Sequence, residues 1–226
     1  MRSRIIDAVF LGMLSLLCII LYLSRVFYTS SRFYSFLNWN LFLAAIPWLL
    51  TTAFNIFPKI RKSKVCLLLF LPVWLLFFPN SPYILTDLFH LSKGYAAPNW
   101  FDLILILSYA WTGLLFGFYS LLEIESILSR FMHPMLIKAF SAFLLFLSGF
   151  GIYLGRYLRW NSWDMLAAPR ELASNILERI LNPSMYPGAW GMTFLMGVLL
   201  NVIYISFFML LRSGWRARSR QQMNID

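Results

Sequence analysis

Six stretches of this chain are apolar enough, and long or nearly long enough, to cross a bilayer, and that feature limits its fold more than any other. They run over about Ile5–Leu23, Leu37–Phe57, Val65–Phe78, Phe101–Leu122, Met135–Gly155 and Ala189–Leu211. A hydrocarbon core about 30 Å thick takes roughly 20 residues of helix, because backbone groups left unpaired in lipid are prohibitively costly. The expected fold is therefore all-α, a polytopic membrane helix bundle of about six transmembrane helices plus short interfacial helices. It forms a single transmembrane domain over residues 1–226, since no repeat and no low-complexity linker divides the chain. Pro47 and Pro72 fall inside two runs and are expected to kink those helices.

Composition agrees. Hydrophobic residues make up 60% of the 226 and charged residues 12%, about half the share a soluble surface carries. A net charge of +10 would suggest nucleic acid in a soluble protein. Here the basic residues sit between apolar runs, so they read as topology and lipid contact, with the bilayer as partner and no nucleic acid. The first run is long for a signal-peptide core and lacks a small-x-small site before Ser24, so it reads as an uncleaved anchor. Cys18 and Cys66 lie inside apolar runs, which argues against both a disulfide and a metal-binding pair.

Lysines and arginines set the expected orientation. With the N-terminus inside, Arg2, Arg4, Lys59, Arg61, Lys62, Lys64, Arg130, Lys138, Arg212, Arg216, Arg218 and Arg220 are cytoplasmic, 12 of the 19 basic residues. Both termini then lie in the cytoplasm and the chain crosses the plasma (inner) membrane.

The third run is short and ends in Phe78-Pro79-Asn80-Ser81-Pro82, a helix stop followed at once by a helix start. Ser81 suits an N-cap and Pro82 position N1, with Gly94 as C′, so a short helix is expected over 82–93 near the outer interface. A second is expected at Pro169–Leu181. There Leu172, Ala173, Ile176, Leu177, Ile180 and Leu181 make an apolar face opposite Glu171, Asn175, Glu178 and Arg179.

Two polar clusters stand out. On a helical wheel Tyr83, Thr86, Asp87 and His90 share one arc, with Ile84, Leu85, Leu88 and Leu91 opposite. Asp87 and His90, three apart, are spaced to share a proton, bind a metal together or hydrogen-bond, or else simply to face water. A metal needs more ligands than this pair, and the other histidine, His133, falls on the opposite side. At the end of the fifth run Arg156 and Arg159 share a face, followed by Asn161 and Asp164. Arginine and tryptophan are ordinary interface anchors, but paired guanidinium groups also suit phosphate or carboxylate. Gly151 and Gly155 are spaced for close helix contact. Asn99 and Asp102 fit N-cap and N3 of the fourth helix, whereas Glu123 and Glu125 invite only solvation or pairing with Arg130. Walker, His-Glu-x-x-His, Gly-x-Ser-x-Gly and Cys-x-x-Cys patterns are absent.

The stretches Pro79-Asn-Ser-Pro-Tyr-Ile-Leu-Thr-Asp-Leu-Phe-His-Leu91 and Gly155-Arg-Tyr-Leu-Arg-Trp-Asn-Ser-Trp-Asp164 resemble a family of bacterial membrane proteins catalogued as domain of unknown function 1361. Where such proteins are expected to carry Trp-Tyr-Asp, this chain has Trp100-Phe101-Asp102, which loses a phenol. The resemblance implies a multi-pass bacterial plasma membrane protein. It also implies that Asn80, Tyr83, Asp87, His90, Arg156, Arg159, Asn161 and Asp164 belong to the family's pattern. It supplies no reaction and implies no cofactor.

The functional expectation is that the two segments meet at the outer face as one polar pocket for an anionic lipid or lipid-linked substrate. Asn80, Ser81, Tyr83, Arg156, Arg159, Asn161 and Asp164 would bind it, and in a catalytic version Asp87 would orient His90 as general base. A small-anion transporter and a membrane scaffold remain as alternatives, and the oligomeric state is left open.

Overall fold

A computed structural model describes residues 2–57, 63–91 and 97–223, with side chains for 4–57, 63–91 and 97–210. Lys59, Arg61, Lys62 and Gly94 lie outside the described residues, as do the side chains of Arg2 and of the basic residues after Leu210.

The described residues form helices and no strands. In chain order they are α1 (Arg2–Thr29), α2 (Phe36–Ile56), α3 (Lys64–Phe77), α4 (Asn80–Tyr83), α5 (Asn99–Leu128), α6 (Pro134–Tyr157), α7 (Asp164–Ala167), α8 (Pro169–Leu181) and α9 (Pro187–Met223), with 3-10 segments at Phe33–Ser35 and Ile84–His90. Six helical stretches are long and apolar enough to cross a membrane: Arg4–Thr29, Phe33–Ile56, Lys64–His90, Asn99–Leu128, Pro134–Tyr157 and Pro187–Leu210. The all-α bundle expected from the apolar runs is the fold observed. Pro47 and Pro72 sit inside helices that continue past them.

α5 is the axle of the bundle. Two-thirds (67%) of its most apolar window is buried, against 11% for α1 and 17% for α9. Leu105, Ile106, Tyr109, Leu121 and Ile124 along it are fully buried. α1 and α9 instead turn large apolar side chains outward, as helices facing lipid do, since lipid is as apolar as leucine. We call the end holding the start of α5 and the finish of α6 the upper end.

The third span departs from expectation. The stop and restart expected there do occur, since α3 ends at Phe77 and α4 begins at Asn80, but the span continues: Phe78 donates to the Trp74 carbonyl at 2.9 Å, and the path runs on through α4 and the 3-10 segment to His90. Among the described residues, what stands in place of the helix expected over 82–93 is the end of α4 and the 3-10 segment Ile84–His90. Ser81 is not an N-cap; it is fully buried and its hydroxyl donates to the Ala44 carbonyl of α2 at 2.8 Å. Pro79 precedes α4 and Pro82 lies in its single turn, positions that need no N–H, so the prolines end α3 and redirect the chain within the same span. Space for the redirected turns comes from α5. A methyl group on Gly113 would meet the Ser81 carbonyl at 2.9 Å, and one on Gly117 would meet the Ser81 Cβ at 2.8 Å.

Other polar expectations also change. Asn99 is the first residue of α5 rather than its cap; Pro98 holds that position without a side-chain bond. Asp102 lies in the first turn, where an anion is favoured, but it also forms a buried ion pair with Arg25 of α1 at 2.6 Å. Glu123 and Glu125 pair with groups other than Arg130. Glu123 lies 3.8 Å from Arg4 and accepts from Asn55, while Glu125 accepts from the Ser141 hydroxyl at 2.6 Å and the Tyr204 hydroxyl at 2.9 Å. His133 caps α6, its Nδ1 accepting from the Met135 N–H.

The glycines of α6 are contact points. A Cβ on Gly151 would stand 2.9 Å from two atoms of the Pro79 ring, and one on Gly155 would stand 3.1 Å from the Tyr83 ring. Gly151→Ala should therefore overpack the α6–α4 contact and lower stability by about 1–3 kcal/mol. Thermal unfolding in detergent checks this, and an unchanged midpoint would show that Pro79 is free to move.

Candidate functional site

The 3-10 segment Ile84–His90 stacks residues three apart, so Ile84, Asp87 and His90 share one edge. Asp87 is fully buried and Thr86 nearly so (2% exposed), which overturns the reading of this arc as a polar face turned to water. A carboxylate at that depth needs partners, and it has two. Arg156 of α6 places Nη2 2.5 Å from Oδ1, and Asn40 of α2 donates to Oδ2 at 2.8 Å. Arg156 also donates through Nε to the Thr86 hydroxyl at 2.9 Å and lies over the Tyr83 ring, 4.5 Å from its centre. Three spans are thereby tied together at the upper end.

A second charged group stands beside it. Arg25 holds Asp102 and covers the Tyr34 ring at 4.5 Å, and the Tyr34 hydroxyl donates to the His90 carbonyl at 3.0 Å. The 3-10 segment is thus anchored at both ends. The two oxygens of Asp87 serve Arg156 and Asn40, and the His90 ring packs 4.9 Å from Phe36.

Arg156 and Arg159 do not form a pair. α6 ends at Tyr157, and the Leu154 carbonyl accepts from the N–H groups of both Leu158 and Trp160 at 3.2 Å. That closing turn puts Arg159 in the left-handed region, at φ 61°, a position glycine usually takes. Arg159 is exposed and has no ion pair among the described residues, while Arg156 is spent on Asp87. Beyond it, the Asp164 carboxylate accepts from the backbone N–H of Asn161 at 2.6 Å and from its side chain at 3.2 Å, shaping the loop. The Asn80 side chain donates to the Ser162 hydroxyl at 2.9 Å, and Ser162 donates to the Leu76 carbonyl at 3.0 Å. Residues 80–91 and 155–164 are therefore in contact.

Below this contact lies a cavity of about 490 Å³ between α2, α3 and α6. Leu43, Leu75, Leu76, Leu147 and Leu154 supply much of its wall, and Leu172, Ile176 and Ile180 of α8 roof it. α8 spans Pro169–Leu181 as the sequence predicts. Its far end is pinned at the start of α9, where the Trp190 indole donates to the Arg179 carbonyl at 3.0 Å, and Tyr186, just before α9, donates its hydroxyl to Glu178 at 2.5 Å. Among the described residues no charged one lines the cavity; its polar groups are Asn40, Asn80, Tyr83, Asn161 and Ser162, with the indoles of Trp39 and Trp160. Of the expected binding residues, Asn80, Tyr83 and Asn161 line it, whereas Ser81, Arg156, Arg159 and Asp164 do not.

Sequence reasoning missed Asn40 and Arg25. Both carry a signal, since a polar or charged residue within an apolar span is costly there and calls for a partner.

These features place the chain among multi-pass helical membrane proteins by length and composition of its helices. Residues 39–203 match the family model of the proteins of unknown function designated DUF1361, and the chain belongs to that family. No curated protein and no solved structure matches it.

Proposed function

We propose that this protein binds an amphiphilic lipid, with a hydrocarbon chain in the cavity under α8 and an anionic head group at its rim. The observation that carries this reading is the wall of the cavity, which is mostly apolar and whose described lining holds no charged residue, with polar groups at Asn40, Asn80, Tyr83, Asn161 and Ser162 and the Trp39 and Trp160 indoles. Its size is that of a small-molecule site. Arg159 beside the rim is a cation with no ion pair among the described residues, set next to Trp160 and Asn161, which line the cavity. Binding is favoured over catalysis because both oxygens of Asp87 are already engaged.

The orientation proposed with it puts the upper end at the outer face of a plasma membrane and both termini in the cytoplasm. The bias of 12 of 19 basic residues toward the other side supports that placement.

Energetics divide the roles. A chain leaving the bilayer for this cavity exchanges one apolar setting for another, so burial adds little. Affinity must come from the head group, where a hydrogen bond to a charged group contributes about 1.5–3 kcal/mol. Arg159→Gly should thus weaken lipid retention by roughly tenfold or more. The same change should raise stability by about 1–2 kcal/mol, because a side chain in the left-handed region is strained and glycine is not. Mass spectrometry of co-purified lipid, beside thermal unfolding, reads both effects. Retention equal to wild type would remove Arg159 from the site. Leu76→Trp, which fills the cavity, should abolish retention altogether; unchanged retention would refute the reading.

A further inference from the structure

Resting on that reading, we propose that the ligand carries two hydrocarbon chains, which descend from one head group on either side of α6. A second cavity, about 330 Å³, lies between α6 and α9. It shares Leu147, Phe150 and Ile180 with the first. Leu147 and Phe150 are one turn apart on α6 and form a ridge with a cavity on each flank. Ile180, from the roof helix α8, reaches both.

The character of the second cavity identifies its occupant. Phe143, Phe146, Phe194 and Trp190 line it, and no charged side chain among the described residues does. The Thr193 hydroxyl, a polar group on its wall, donates to the Ala189 carbonyl at 2.7 Å and so is already used. The Trp190 indole N–H is likewise given to the Arg179 carbonyl. Nothing remains there to hold a head group, and hydrocarbon is the matching content. The rings pack on one another in pairs, Phe150 with Trp190 at 6.3 Å between centres and Phe146 with Phe194 at 6.1 Å, and so present apolar ring surface to the cavity. A single chain filling both cavities would have to fold over the Leu147–Phe150 ridge beneath Ile180. Two chains leaving a common head group near α8 need no such bend. The shared roof and ridge distinguish this cleft from an ordinary lipid-facing groove.

The test uses full-length protein in detergent with two probes, dioleoylphosphatidylglycerol and its single-chain counterpart oleoyl-lysophosphatidylglycerol. Bound lipid is counted by native mass spectrometry, with elution profile and thermal midpoint as folding controls. Wild type should retain both probes, and Leu76→Trp neither. Thr193→Phe, which fills only the second cavity, should lose at least tenfold in two-chain retention and keep the single-chain probe. Phe194→Ala removes a wall at an exposed position that the fold tolerates, and should weaken two-chain retention several-fold. Two-chain retention at the wild-type level in both variants would overturn the inference and leave the first cavity's role standing. Equal loss of both probes in Thr193→Phe would overturn it as well. If wild type retains neither probe while Leu76→Trp behaves identically, the proposed function itself fails, and this inference with it.

Discussion

Asp87→Ala is expected to cost about 3–5 kcal/mol of stability, since breaking a buried ion pair from one side leaves the other charge uncompensated. The stranded group is Arg156, whose side chain is 13% exposed. Asn40 and Thr86 lose order in the same step, because both donate to or accept from this pair. The reason for so large a figure is location. The carboxylate is shut off from water, and among the described residues no second ion pair joins these three spans. Replacing both partners, as in Asp87→Leu with Arg156→Met, should recover much of the loss, because an apolar pair of similar size removes the desolvation cost together with the attraction. Thermal unfolding of the two single variants and the double variant gives the coupling energy. Additive losses, with no coupling, would mean that the pair is not formed in the membrane-embedded protein.

The second large effect belongs to Arg25 and Asp102, whose side chains are 1% and 2% exposed. Here the two partners are not equivalent. Asp102 sits in the first turn of α5, where the helix dipole favours an anion by up to about 2 kcal/mol in buried geometry. Losing Arg25 is therefore softened, and Arg25→Met should cost about 1–3 kcal/mol. Asp102→Ala leaves the guanidinium without its carboxylate and should cost about 3–5 kcal/mol. Lipid retention should be unaffected in both variants that fold, because neither residue lines the cavity. Equal costs from the two sides, measured by thermal unfolding, would remove the dipole from the account.

How much of this could be read in the sequence depends on the range of the interaction. The spans were legible because apolar length is a local property, and α8 was legible because a 3.6-residue pattern and Pro169 mark it. The break of the third span at Pro79 was legible, but its course beyond the break was misread for a long-range reason. Pro79 and Pro82 look like a stop, yet Gly113 and Gly117, on another helix, give the turns room to continue. The arc holding Asp87 was found, but not its burial, since Arg156 and Asn40 are brought to it only by packing of α2 and α6. Arg156 and Arg159 looked alike on a wheel. The helix ends between them at Tyr157, and with no glycine in place the left-handed turn left no mark in the sequence. The cavity itself had no local signature; its walls come from six helices and the loop after α6.

Photocrosslinking with a lipid bearing a diazirine midway along one chain tests the central claim most directly. Adducts should concentrate on peptides holding Leu75, Leu76, Leu147 and Leu154, and should fall when unlabelled lipid competes. Adducts spread evenly over the outward faces of α1 and α9, with no excess at the cavity, would contradict the account.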